Sequence, residues 1–391
     1  MNTPTTLVVG FYEILDEEGL VISGMSEKFG FIITIEKYQT STFGLPTVEY
    51  ATNDGEAIKD IFINTFGIDE SNIHHFIDDE FTYTTGISEL KYYLKSLPKE
   101  AEVYFYYAGH GFFYEGKNYI TAYDSKDVDV EHKELVASSI PMEECIFDVV
   151  KSAGVKSFIA FIDACAEGIS SSCRGIGARG IEMAATVFDG DSSCRCAVYF
   201  ACSPNEKAIP DDELKHGVWT WFLIKALQGD EKAFDKGKCI TTNSLQEYLR
   251  RSVREFTRLR NKQTPYSVVS SSGNWKLVDY SDDFSFEDGV LFAYGEFLFQ
   301  CNTVNQELAI GLYEDIHNFA QARDLCWEIS DKLCPEWEAI VACLEFCVIM
   351  LDRGKALNLT YTGQKEMLED FEMLINSFPT YINECTSTSL F

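Results

Sequence analysis

Positive charge is what this sequence is short of. Lys and Arg number 32 against 62 Asp and Glu, a formal net charge of −30 over 391 residues. So negative a surface repels phosphate backbones and anionic lipid, which argues against nucleic-acid and membrane partners and in favour of cationic ones such as Lys- or Arg-rich peptides. Long apolar runs are missing too. The best candidate, Ala339–Leu351, contains Glu345 and falls short of the ~18 residues a membrane span needs. The opening Met1-Asn2-Thr3-Pro4 lacks the positive segment of a signal peptide, so a cytoplasmic location is expected. Apolar residues are plentiful at 46%, with 14% aromatic, enough for sizeable cores in two or three domains.

The 13 cysteines are an odd number, and in a chain expected to lack an export signal thiols serve more often as core residues, ligands or nucleophiles than as disulfides. Cys343 and Cys347 share one helix face. Cys194-x-Cys196 is too tight for a zinc knuckle, and no His lies nearby at ligand spacing. No metal and no other cofactor is expected.

From Phe29 to Leu277, apolar strands alternate with amphipathic helices. Strands are expected at 29–38, 102–108, 155–162, 196–202 and 274–278, and helices around 57–66, 142–153, 217–227 and 245–259. Such alternation implies an α/β fold with a mostly parallel sheet covered by helices on both faces. Residues 1–28 read as an extension carrying an edge strand or hairpin at Thr6–Tyr12. Residues 281–391, with five Lys/Arg against 20 Asp/Glu, read as an acidic helical domain: 304–333, 336–353 and 364–377. Three domains follow: 1–28, 29–280 and 281–391.

Two expected strand ends carry chemistry. His110 stands in Tyr106-Tyr-Ala-Gly-His-Gly111, read as a strand running into a glycine turn, and Cys165 closes Phe161-Ile-Asp-Ala-Cys165. Ligands in parallel sheets sit beyond the carboxyl ends of the strands. A thiol becomes a strong nucleophile when an imidazole accepts its proton. The glycines allow close backbone approach to a substrate and leave the N–H groups of Gly111 and Cys165 as candidate oxyanion donors. A lone His in a turn is usually structural, but two such ends in this order point to a Cys–His pair.

These residues resemble the caspase-like cysteine peptidases, nearer their paracaspase and metacaspase relatives and bacterial counterparts than the animal caspases. The resemblance spans about 250 residues: Ile35–Gln39, Leu45–Asp54, Tyr106–Gly111, Asn118–Asp124, Ile140–Met142, Phe161–Cys165, Ala178–Ile181, Tyr199–Pro204 and Gln263–Gly273. It implies a caspase-like fold, His110 as general base, Cys165 as nucleophile and Gly111 with Cys165 as oxyanion donors. Ser172-Cys-Arg-Gly175 imitates an animal caspase nucleophile, but Cys173 follows a Ser-rich loop, whereas Cys165 ends an apolar strand.

Where animal caspases carry a neutral amide two residues before the nucleophile, this chain has Asp163. Asp54 matches a second pocket acid of the paracaspase-like enzymes, with a helix N-cap before Gly55 as its structural alternative. Paired carboxylates call for a cationic substrate side chain, Arg before Lys because guanidinium is bidentate. Glu206, Asp211 and Asp212 are candidates for a third acid. The loop after Cys165 holds Arg174-Gly175 and Arg179-Gly180, bonds that an Arg-specific zymogen could cut during maturation, although Arg179–Ile181 also matches a structural segment. Expected partners are protein or peptide substrates with Arg or Lys before the scissile bond, and an activating protease or regulator docking on 281–391. The competing readings are an idle caspase-fold scaffold binding through its acidic tail, and a metallohydrolase using His110, Asp163 and cysteines.

Overall fold

The computed structural model describes residues 27–39, 44–128, 132–165, 194–203, 206–259, 262–270, 273–281, 360–369 and 373. The chain divides into two compact units, Met1–Thr220 with Thr257–Gly273, and Trp221–Phe256 with Asn274–Phe391.

The first unit is built on an eight-stranded, mostly parallel sheet. Its strands are β1 Lys28–Thr34, β2 Ile73–Ile77, β3 Glu102–Tyr114, β4 Lys117–Thr121, β5 Ser139–Pro141, β6 Ser157–Cys165, β7 Arg195–Phe200 and Tyr266–Val269. Across the sheet they run Tyr266–Val269, β7, β6, β3, β1, β2, with β4 and β5 attached beyond β3. The contacts β2–β1–β3–β6–β7 are all parallel, and only Tyr266–Val269 is antiparallel in that row. The connections are helical: α1 Ala51–Asn64 and α2 Thr85–Lys95, then α3 Lys133–Ala137 and α4 Asp148–Ala153.

The near-continuous apolar strands are explained by burial on both faces. Val103, Phe105 and Tyr107 of β3 enter one core with Phe158 and Ile162 of β6, Leu90 and Leu94 of α2, and Val150 of α4. Tyr104, on the opposite face, packs its ring 5.9 Å from Phe62 of α1 and 4.3 Å from Phe66. The buried thiols of Cys145, Cys196 and Cys202 behave as the core residues expected of them.

Three local expectations need correction. The 29–38 strand stops at Thr34. No turn forms at Gly109-His110-Gly111; β3 runs straight through, because Gly111–Tyr114 pairs antiparallel with β4. The reversal falls instead at Glu115-Gly116, both at positive φ (45° and 87°), as a tight hairpin demands. The helix expected over 142–153 begins as a π-helical turn, Glu143–Phe147, before α4.

The second unit holds the amphipathic helix Thr242–Phe256 and an antiparallel pair, Cys239–Thr241 with Lys276–Asp279. The pair is separate from the main sheet, so the 274–278 strand does not close the parallel series. Residues 361–369 are helical; Thr362 donates its N–H to Gln228 O at 2.9 Å, and the Tyr361 ring lies 4.7 Å from that of Tyr280. The remaining tail helices and the strand expected at 6–12 lie outside the described residues. Among the described residues, no helix is long and apolar enough to cross a membrane.

Candidate active site

The parallel ladder of β3 and β6 makes His110 and Cys165 direct Cα partners. Neighbouring strands stand ~4.8 Å apart, so the two residues occupy one rung of the sheet. His110 is 1% exposed. Its Nε2 lies 2.9 Å from the carbonyl oxygen of Pro46. A carbonyl only accepts, so in the neutral ring Nε2 carries the hydrogen and Nδ1 the lone pair. That is the tautomer a general base needs, and it is set by a backbone atom. Gly111, the next residue, stands opposite Ile120 in the β3–β4 hairpin.

A cavity of about 250 Å³ opens beside the imidazole, bordered by His110, Asp54, Asp163, Gly217, Glu49 and Ile209. Asp163 comes from β6, one residue before Ala164, and Asp54 from the first turn of α1. Both are buried. Between them runs the backbone of a short hairpin, β8 Pro210–Asp211 with β9 His216–Gly217. A Cβ on Gly217 would lie 2.9 Å from Asp163 Oδ2 and 3.1 Å from Asp54 Oδ2, so any larger residue there would push on both carboxylates.

Each acid has its own partners. Asp54 Oδ1 sits 2.7 Å from His216 Nδ1, and its Oδ2 accepts the Gly217 N–H at 3.1 Å. The helix begins at Ala51 with Tyr50 at its N-cap, so Asp54 faces the cavity rather than capping α1. Asp163 Oδ2 accepts from Thr220 Oγ1 at 2.8 Å, and Thr220 in turn receives the Tyr106 hydroxyl at 2.9 Å. Thr220 belongs to the opening turn of α5, Val218–Leu227. Burial raises the Asp163 carboxyl to about 7, helped by the neighbouring Asp54 charge and opposed by Thr220. Burial likewise raises Asp54 to about 6, against the pull of His216 and the Gly217 N–H. Two desolvated carboxylates on one cavity favour a cation in it.

The third-acid candidates are placed elsewhere. Glu206 accepts from the Thr264 N–H at 2.6 Å and pairs with Lys262 at 3.0 Å. Asp211 accepts the N–H groups of Glu213 and Leu214 at 3.0 and 3.1 Å, shaping the hairpin turn. Asp212 receives the Tyr50 hydroxyl at 2.5 Å. None of the three borders the cavity, whose further acid is the exposed Glu49. Cys173, Arg174 and Arg179 lie outside the described residues.

Sequence reasoning missed Pro46, His216, Gly217 and Thr220. His216-Gly217 repeats the His-Gly of 110–111 just before an apolar helix, which is a signal, but nothing local ties it to Asp54, 162 positions away. Pro46 acts through its carbonyl, which any residue type would supply.

The family model described as the caspase domain matches residues 27–274. Among curated proteins none matches. Protein GSU0716 from Geobacter sulfurreducens is similar in structure at 14% identity and TM-score 0.42, over 62% of this chain and 93% of that one. Caspase-1 from Spodoptera frugiperda is similar at 13% identity and TM-score 0.38, over 62% and 86% respectively.

Proposed function

Because the chain belongs to the caspase-domain family of cysteine peptidases, we propose that it is an endopeptidase cleaving after Arg, and less readily after Lys. The observation that carries this reading is the pair of buried carboxylates, Asp54 and Asp163, bordering the same cavity as His110. A guanidinium entering there is bidentate to acids of this kind and neutralises both; an ammonium does so as a point charge.

In this mechanism His110 Nδ1 takes the proton of the Cys165 thiol, and the thiolate adds to the substrate carbonyl carbon. The oxyanion so formed is held by the backbone N–H groups of Gly111 and Cys165. His110 then returns the proton to the departing amine as the C–N bond breaks. Water, deprotonated by the same imidazole, hydrolyses the thioester and restores the thiol. Maturation by cleavage after Arg174 or Arg179, and regulation through 281–391, belong to the same proposal.

The test is turnover of fluorogenic peptides ending in Arg, Lys or Asp. Wild type should cut Arg best, and Cys165→Ala and His110→Ala should each abolish turnover while keeping the wild-type circular dichroism spectrum. Equal rates on Asp- and Arg-ended peptides, or full activity in Cys165→Ala, would sink the reading. Mass spectrometry of the incubated protein, with Cys165→Ala beside it, reports self-cleavage at Arg174 or Arg179.

A further inference from the structure

We infer that Tyr38 and Thr121 are positioning residues for His110, closing a ring of buried hydroxyl groups around its backbone. The inference rests on the reading of His110 as general base.

The reason for the ring lies in how the sheet ends. On the β1 side of β3, the last backbone contact is Ile35 N–H to Ala108 O at 2.8 Å. The next polar groups on that side are the N–H and C=O of His110, and β1 does not extend to them. Buried backbone groups of this kind need partners. Side chains supply them. His110 N–H donates to the Tyr38 hydroxyl at 2.8 Å. Tyr38 and Thr121 share a hydrogen bond of 2.7 Å, and Thr121 Oγ1 donates to His110 O at 3.1 Å.

The direction of each hydrogen follows from the ends. Thr121 gives its hydrogen to a carbonyl, so Tyr38 must be the donor between the two hydroxyls. Donation therefore runs one way, from His110 N–H through Tyr38 and Thr121 back to His110 O. Tyr107 braces the ring, donating to His110 O at 2.7 Å and accepting the Thr121 N–H at 3.1 Å. Gly109 permits this crowding, since a Cβ there would meet the Tyr107 hydroxyl at 2.5 Å. Tyr107 and Thr121 are fully buried and Tyr38 nearly so.

Tyr38 also touches the imidazole. Its ring centre lies 5.1 Å from that of His110 at an interplanar angle of 32°. One residue thus holds the main chain of His110 and one side of its ring, while Pro46 holds Nε2. Together these contacts set where Nδ1 points, and a misplacement of ~1 Å in such a group costs ~100-fold in rate.

Tyr38→Phe keeps the ring and removes only the hydroxyl. It should lower kcat on an Arg peptide about tenfold or more while KM stays within about twofold. Thr121→Val should do the same, and Thr121→Ser, which keeps the hydroxyl, should recover most of that loss. A second readout follows Cys165 itself: the pH dependence of its alkylation by iodoacetamide, measured on the Cys165 peptide by mass spectrometry. A displaced imidazole pairs less well with the thiolate, so the alkylation midpoint should move up by about one pH unit in Tyr38→Phe. A lower melting temperature with unchanged kcat and an unmoved midpoint would reduce the ring to a fold-stabilising feature and overturn the inference. Should Tyr38→Phe fail to fold, Thr121→Val against Thr121→Ser decides. A wild type that cuts no Arg, Lys or Asp peptide, before or after cleavage in the loop following Cys165, would refute the peptidase reading, and the alkylation midpoint would still judge the ring.

Discussion

Asp54 and Asp163 give the cavity a pH dependence whose sign can be worked out. Both carboxyls are raised in the folded chain, to about 6 and about 7, above the ~3.9 of an unfolded Asp. Between these values the folded protein holds protons that the unfolded chain has released. Their contribution to stability is therefore complete below about 4 and is lost as pH rises through about 6 to 7. Asp163→Asn removes part of that slope, so urea unfolding should show the variant gaining on wild type between pH 5 and pH 8. Under the proposed Arg specificity, substrate binding should run the other way, because a guanidinium needs the ionised pair. KM for an Arg peptide should fall as pH rises over the same interval. At pH 8 Asp163→Asn should lose more than tenfold in kcat/KM, one charge-assisted hydrogen bond being worth ~1.5–3 kcal/mol. A KM that stays flat with pH in wild type would count against the pair as the substrate's partner.

At the scale of elements, the cavity wall is a hairpin fastened to a helix. The N-cap and first turn of α1 reach the β8–β9 hairpin at three points: Tyr50 to Asp212 at 2.5 Å, Asn53 to Lys215 O at 3.2 Å, and Asp54 to His216 and Gly217. The outer two are exposed and contribute little to stability. Their loss should instead loosen the wall. Tyr50→Phe with Asn53→Ala should raise KM for Arg peptides several-fold, leave kcat within about twofold, and shift the unfolding midpoint little. The same elements show what was legible in the sequence and what was not. The apolar runs at 103–108 and 158–162 announced two buried parallel strands, and their ends placed His110 and Cys165 together. The glycines around His110 read as a turn because isolated glycine is a turn residue; only the partner strand β4, invisible in that window, keeps β3 extended. Motif resemblance singled out Asp54, which the structure places on the cavity wall, but its tie to His216 is a long-range contact with no local pattern.

The molecule as a whole brings charge to the reaction. With a net charge of −30, it should draw a cationic peptide from solution more strongly than a contact account of the cavity predicts. KM for a substrate with several basic residues should rise steeply between about 0.05 and about 0.5 M salt, as the screening length contracts. An Arg peptide flanked by neutral residues should respond much less, and identical salt responses for the two would confine the charge effect to the cavity. Long-range charge is spread over 62 acidic side chains, so no single substitution will cancel it. The opposite holds for the acceptor at the heart of the site. The hydrogen on His110 Nε2 is fixed by the main-chain oxygen of Pro46, and every replacement of that proline would keep the oxygen. A scan of side chains across the whole protein would pass over this atom without a trace. Chemical synthesis would find it: converting the Pro46–Thr47 amide to an ester weakens the acceptor and leaves every side chain in place, so the part of the site that genetics cannot reach is open to backbone chemistry.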